Sequence, residues 1–306
     1  VEDEMKTFLR FMLVIFCLTA VLFAPGLSAC KQFEEEFTRE FKLEPGGSFS
    51  LINVSGNIEV CGWDQNTVQI RAVKMVRRVS NQEEGQEWLN KIEIGIEQEG
   101  NTIRVETKFP ENRELYIRKS QDRETLFKKI LSGLASLPWG KPQIDVTFKV
   151  MLPRRTDVDL CDNIGNIEAS DLEGNIKAKT DLGAIKMAGL SGDLTAGTNM
   201  GEIVLEGVKG SVEAGTDLGS ITATLETVEP GNNISLHSDM GGISLALPGS
   251  AGADLDLSTD LGGIKVDLPV TVEGEITRER ISGKINGGGP LIKISTDLGG
   301  VEIKEL

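Results

Sequence analysis

The chain has a single histidine, His237, among its 306 residues. Constellations that need several histidines, for a metal or for an acid–base relay, are thereby excluded. Aromatic residues are scarce, at 5%, and the few in the second half suit an interior too thin to hold rings. No P-loop, dinucleotide fingerprint or Gly-x-Ser-x-Gly elbow occurs. Metal-ligand cysteine spacing and the Ca²⁺-binding β-roll nonapeptide are also missing. Basic residues are outnumbered, 32 against 47 Asp and Glu, for a net charge of −15. Nucleic acid is therefore not an expected partner, and the acidic balance suits solubility outside the cytoplasm or cation binding. No cofactor or metal centre is expected, and the chain reads as a non-enzyme.

What is plentiful is glycine, 35 residues, placed where turns need it. It punctuates a returning hexapeptide: Thr180-Asp181-Leu182-Gly183-Ala184-Ile185, then Thr198 to Ile203, Thr216 to Ile221, Ser238 to Ile243, Thr259 to Ile264 and Thr296 to Val301. The first three copies start 18 residues apart, the next steps are 22 and 21, and the last is 37, which suggests one degenerate copy in between. Asp162-Asn163-Ile164-Gly165-Asn166-Ile167 continues the series backwards, and Asn53 to Ile58 is a distant relative. A half-period echo, Leu172-Glu173-Gly174, Leu190-Ser191-Gly192 and Val208-Lys209-Gly210, makes each unit two short strands joined by two Gly turns.

Period-two alternation predicts which side chains face inward. In the first strand of each unit these are Ile176, Ala178, Leu194, Ala196, Val212 and Ala214. In the second they are Ile185, Met187, Ile203, Leu205, Ile221 and Ala223. The expected fold is all-β: a β-solenoid of stacked two-strand coils of about 18 residues, preceded by an N-terminal β region with a helical insertion. Residues 162–306 would make about eight coils, a rod of roughly 38 Å at about 4.8 Å per coil. A sandwich of short antiparallel strands also explains the alternation, but not the constant step.

One phase of the repeat could carry chemistry. Asn163, Asp181, Asn199, Asp217, Asp239, Asp260 and Asp297 would form a row along one edge, with Asp239 and Asp260 in consecutive coils. Each side chain could accept a hydrogen bond from its own Gly turn; the alternative is binding of divalent cations. Paired carboxylates could also make a polysaccharide-active enzyme, as in carbohydrate-cleaving β-helices.

At the N-terminus, Met5 to Arg10 supplies a short basic segment and Phe11 to Phe23 an apolar run too short for a comfortable membrane span. Residues 1–29 have the layout of a secretory signal, with Met5 as the expected start. Leu27-Ser28-Ala29-Cys30 resembles the bacterial lipobox, which implies lipidation at Cys30 and a membrane partner through that anchor. By the same resemblance Lys31 favours the outer membrane if the source is Gram-negative. Of the four cysteines, Cys17 leaves with the signal and Cys30 is taken by lipid. Cys61 and Cys161 could then form a disulfide in an oxidising compartment, or remain free buried thiols.

Residues 30–160 form the N-terminal β region and 161–306 the repeat domain. Strands are predicted at Phe33 to Phe41, Ser48 to Ile52, Ile58 to Cys61, Thr67 to Val76 and Gln143 to Leu152. A hairpin crosses Gly100-Asn101, and Ser80 to Lys91 reads as a short helix capped at Ser80. A second helix, near 121–137, carries an apolar face of Leu126, Phe127, Ile130, Leu131, Leu134 and Leu137. Arg113, Arg118, Lys119, Arg123, Lys128, Lys129 and Lys141 make its surroundings the most basic stretch of the chain. It could cap the open end of the stack, or rest on a membrane or partner.

The segment Gly-Asn-Ile-Glu-Val-Cys-Gly-Trp at 56–63, the strand Ile103-Arg104-Val105-Glu106, the junction Val150-Met151-Leu152-Pro153 and the Gly-x-Ile repeats resemble the bacterial putative-adhesin family of β-strand-repeat domains of unknown function. The resemblance spans about residues 45–306 apart from the 110–142 insertion. It implies an extracytoplasmic β-solenoid and transfers no catalytic residues. The expected function is a non-catalytic, lipid-anchored envelope protein whose acidic solenoid binds, adheres or scaffolds, with an envelope protein or glycan as partner. The alternative is a sensing or regulatory accessory protein acting through its basic helix.

Overall fold

The structure is a computed structural model that describes residues 32–109, 142–272 and 277–306. The signal segment, Cys30 and the helix expected near 121–137 lie outside the described residues. The rest is built from two sheets. The N-terminal elements are β1 (Gln32–Lys42), β2 (Gly47–Ile52), β3 (Ile58–Trp63), β4 (Thr67–Arg77), α1 (Gln82–Asn90), β5 (Glu93–Glu99), β6 (Thr102–Lys108) and β7 (Gln143–Pro153). The repeats follow as β8 (Thr156–Cys161), β9 (Ile167–Ser170), β10 (Ile176–Leu182), β11 (Ile185–Ala188), β12 (Leu194–Met200), β13 (Ile203–Val208), β14 (Val212–Leu218), β15 (Ile221–Leu225), β16 (Ile234–Met240) and β17 (Ile243–Leu247). The last are β18 (Ala253–Leu261), β19 (Ile264–Val266), β20 (Val270–Val272), β21 (Arg280–Ile285), β22 (Leu291–Leu298) and β23 (Val301–Glu305).

Strands alternate between the sheets, so each coil gives one strand to either side. One sheet runs β1-β4-β7-β3-β9-β11-β13-β15-β17-β23-β19 and the other β20-β21-β18-β22-β16-β14-β12-β10-β8-β2-β6-β5. Coil-to-coil pairing is parallel and in register, as in Ile176↔Leu194 and Ile185↔Ile203. All twelve side chains expected to face inward are buried, in one core shared by the two sheets. The distant relative at Asn53 to Ile58 is a true coil, since β2 pairs with β8 and β3 with β9. One coil further out, β6 pairs with β2 and β7 with β3, both parallel. The end of β6 and the start of β7 therefore lie at the edge where the other coils have a short Gly turn.

Two expectations are corrected. The 37-residue step does not hide a degenerate coil: residues 270–285 hold the antiparallel pair β20–β21, which covers the far edge of β18. The final coil, β22–β23, then lies between β16–β17 and β18–β19 rather than beyond them. With the outer edge of β18 taken by β21, the inner edge is the one left for parallel pairing. The short helix begins one residue later than expected: the Asn81 side chain accepts from Glu84 N–H at 2.8 Å, and Glu84 in turn accepts from Ser80 N–H. At the N-terminal end the antiparallel strands β4 and β1 extend one sheet and β5 the other, while α1 packs on β1 and β4. Both ends thus carry antiparallel elements that interrupt parallel growth.

Cys61 and Cys161 are free thiols. They sit on the outward sides of opposite sheets, Cys61 in phase with exposed Glu59 and Cys161 with exposed Asp159. The core between the sheets separates them, and the bridge does not form.

The turns lie very close to one another. A Cβ on Gly241, which has φ +155, would stand 1.8 Å from the Gly219 carbonyl oxygen, whereas one on Gly263 meets nothing within 4 Å. Gly241→Ala is expected to cost about 3 kcal/mol or more and Gly263→Ala less than about 0.5 kcal/mol, measured by urea unfolding.

Candidate functional site

The edge where strands of the β16 sheet turn into strands of the β17 sheet carries three rows side by side. The innermost is polar and buried. Thr180, Thr198, Thr216, Ser238, Thr296 and Thr259 each donate a hydroxyl hydrogen bond, 2.9–3.1 Å long, to a turn glycine carbonyl of the adjoining coil, at Gly165, Gly183, Gly201, Gly219, Gly241 and Gly299 respectively. These hydroxyls, rather than the neighbouring Asp side chains, tie the turns together.

The second row is the expected Asp/Asn ladder. Its stack order is Asp181, Asn199, Asp217, Asp239, Asp297, Asp260, because β22 lies between β16 and β18. The expectation that Asp239 and Asp260 are neighbours is corrected: Asp297 stands between them. Asn199 Nδ2 donates to Asp181 Oδ1 at 3.2 Å, so the amide separates the first two carboxylates of the row. Burial raises the Asp181 pKa from its ordinary value. Towards the other end acids follow one another, each pair repelling by about 1 kcal/mol even in water. Among the described residues, no group of three or more His, Cys, Asp or Glu is placed to hold a metal ion.

The third row is apolar: Ile164, Leu182, Met200, Leu218, Met240, Leu298 and Leu261, in register from coil to coil. Four of these are well exposed, Ile164 at 53%, Met240 at 47%, Leu298 at 44% and Leu261 at 68%. On the opposite edge the equivalent positions, directly before the turn glycines, are the polar and exposed Glu173, Ser191 and Lys209, while Leu172, Leu190 and Val208, in the phase of the Asp ladder, are buried.

One constellation escapes a reading of the sequence. His237 Nδ1 lies 2.9 Å from Ser295 Oγ and Nε2 lies 2.8 Å from Asp239 Oδ1. Ser, His and Asp are the groups of a hydrolase triad. They stand on the outward face of a flat sheet, His237 opposite Ser295 in register and Asp239 two residues along β16. Strands β16 and β22 are each paired on both sides, so their N–H groups lie in the sheet plane and none forms an oxyanion hole above it. His237 and Asp239 side chains are 41% and 36% exposed. The 58 residues between His237 and Ser295 hid the contact, since only the placement of β22 makes their coils adjacent. Aligning all coils by phase would have put both residues in one row.

Between Thr107 of the outermost coil and Thr180, Asn53 and Asp162 take the place of Thr in the buried polar row. Asp162 Oδ1 accepts from Asn163 N–H at 2.8 Å, but Oδ2 is buried without a partner, as is Asn53 Oδ1. The Asn53 amide nitrogen is already donating to the Val146 and Gly56 carbonyls. Every later coil has a hydroxyl donor at this phase. Burial, reinforced by the nearby Asp145, pushes the Asp162 carboxyl up to about 7, against hydrogen bonds that pull it down. When protonated, the carboxyl carries a donor, as the hydroxyls of the later coils do.

A two-sided stack of parallel strands closed by Gly turns, with an acidic and apolar edge, defines a non-barrel β-solenoid type of protein. The chain belongs to the Toastrack DUF4097 family, whose model matches residues 79–304. The family resemblance carried by the Gly-x-Ile repeats is thereby shown. No curated protein matches the chain. Among solved structures it is similar to a putative cell adhesion protein from Clostridium sporogenes, at 15% identity and a TM-score of 0.39, covering 89% of this chain and 100% of that one. A putative adhesin from Bacteroides fragilis is similar at 12% identity and a TM-score of 0.38, covering 89% and 97%. A putative lipid binding protein from Parabacteroides distasonis is similar at 12% identity and a TM-score of 0.28, covering 89% and 96%.

With the Asp162 pKa raised in the fold, the native state keeps a proton that the unfolded chain has released. The stability contributed by this group is complete below about pH 4 and is lost as pH rises through about 7. Asp162→Asn is expected to flatten that fall, which reaches up to ~1.4 kcal/mol per pH unit, and to stabilise the protein at pH 8. Urea unfolding of both proteins from pH 4 to 8 checks this; parallel pH curves would refute it.

Proposed function

We propose that this protein is a non-catalytic, lipid-anchored envelope protein that presents its acidic solenoid as a binding or scaffolding surface. The observation that carries the reading is the repetition, among the described residues, of one side-chain row per coil along the faces of the stack. Such rows suit an extended or repetitive ligand, which meets the same chemistry at each step of about 4.8 Å. The depression along α1, lined by Gln82, Glu83, Gln86, Glu87 and Asn90, is open to solvent and formed by one helix face. The lipobox-like Leu27-Ser28-Ala29-Cys30 supports a membrane anchor at Cys30, and the net charge of −15 supports display outside the cytoplasm.

Two measurements test this reading. Intact-mass analysis of the native protein is expected to show acyl chains on Cys30, and Cys30→Ala should release the protein from the membrane fraction. An unmodified soluble chain would make it a secreted or periplasmic binding protein instead. For the chemistry, hydrolysis of p-nitrophenyl esters is expected at equal background rates in the wild type, Ser295→Ala and His237→Ala. Turnover well above background that both substitutions abolish would establish a hydrolase in place of a binding protein.

A further inference from the structure

Among the described residues the two sheets end in four edges, β1 and β19 on one sheet and β20 and β5 on the other. Strands β19 and β20 are three residues long and β5 carries Gly95. Strand β1 is different: it runs for eleven residues, Gln32–Lys42, without proline and in unbroken register with β4. Sheet edges are guarded by shortness, proline or bulges, and a long, regular edge lacking all three is open to a further strand. We propose that the free edge of β1 pairs antiparallel with β1 of a second copy of this chain, about a two-fold axis at Phe37.

The core is incomplete at this edge. Phe33, Phe37 and Phe41 lie on the core-facing side of β1, opposite Val76, Ala72 and Val68 of β4. Those three partners are fully buried, whereas the rings are only half-buried. Glu35 and Arg39 stand between the rings, so this side reads Phe-Glu-Phe-Arg-Phe. That pattern is its own complement when reversed. The two-fold sets Phe33 of each copy against Phe41 of the other, Glu35 against Arg39, and Phe37 against its own counterpart; aromatic and opposite-charge pairs are favourable across antiparallel strands. A shift of two residues either way sets Phe37 against Glu35 or Arg39 and loses both Glu–Arg pairs, so the side chains select one register.

Both charged partners are available. Glu35 accepts from Lys74 at 3.1 Å and keeps further lone pairs for an arginine of the other copy. Arg39 lies over the Phe37 ring at 4.4 Å and donates to the Thr38 carbonyl at 2.9 Å, and no acid among the described residues pairs with it. On the solvent side the same register sets Glu36 against Thr38 and Gln32 against Lys42, while Glu34 meets Glu40 in the one repulsive pair. Pairing along the whole strand adds about ten backbone hydrogen bonds. The backbone would accept any strand, but the self-complementary side chains select a second copy.

Sedimentation equilibrium of the full chain tests this, in density-matched detergent so that only protein mass counts. The expected result is a monomer–dimer equilibrium. Arg39→Glu and Glu35→Arg each set like charges opposite one another in both pairs and should weaken the dimer by about tenfold or more. Mixed in equal amounts, the two variants regain both Glu–Arg pairs, and a heterodimer of wild-type affinity should form. Glu35→Arg also faces Lys74. Should it fail to fold, as judged by its far-ultraviolet spectrum, Glu40→Lys on the solvent side takes its place: it turns both Glu34–Glu40 contacts into ion pairs and should tighten the dimer by about threefold or more. A wild-type chain that stays monomeric up to about 0.1 mM would overturn the proposal. So would a dimer that these substitutions leave unmoved, or folded variants that do not combine. None of these readouts depends on Cys30 or on ligand binding, so the function proposed above is tested separately.

Discussion

The rest of the structure depends on how closely one Gly turn can lie against the next. Carbonyl oxygens of successive turns stand where a Cβ would be, and the buried Thr and Ser hydroxyls reach those same carbonyls. The two features are one device. Removing the side chain at glycine brings the coils to strand spacing, and the hydroxyl then satisfies a carbonyl that the core would otherwise leave unpaired. Because the coils from Thr180 onward repeat it, a change in one of these turns disturbs the coils beside it.

Repetition also explains why coil order and chain order part company. Parallel pairing offers each coil the same partner surface, so Ile292 and Ile294 fit against Ile234 and Leu236 on one side and Leu255 and Leu257 on the other. Nothing in the repeat itself distinguishes these neighbours. The antiparallel β20–β21 pair does, by covering one side of β18. The contact of His237 with Ser295 and the place of Asp297 between Asp239 and Asp260 follow from that choice.

Among the described residues the surface chemistry is arranged in rows. Groups that would be catalytic in a cleft, such as the Ser295, His237 and Asp239 trio, here face water across a flat sheet whose backbone donors are engaged. Asp162 is the exception, a titratable group drawn into the core because its phase points inward. Its burial is a consequence of register, and its perturbed proton affinity follows from burial.

Much of this was legible in the residues. The 18-residue step, the alternation at Ile176, Ala178, Ile185 and Met187, and the Gly turns determined the two-strand coil, its inward face and the phase of the Asp row, because strand periodicity is a local property. The boundaries of β1 to β7 were close for the same reason, and the cap at Asn81 was missed by one residue because Ser80 and Asn81 are both able capping residues. The chain by itself thus determined what each coil looks like. Which coils touch was decided only in three dimensions: the position of β22 between β16 and β18, the separation of Cys61 from Cys161 by the core, and the neighbours of His237 and Asp162. The physical reason is that coils built from one repeat present nearly identical edges, so their order is set by which edges remain free once the antiparallel elements have paired.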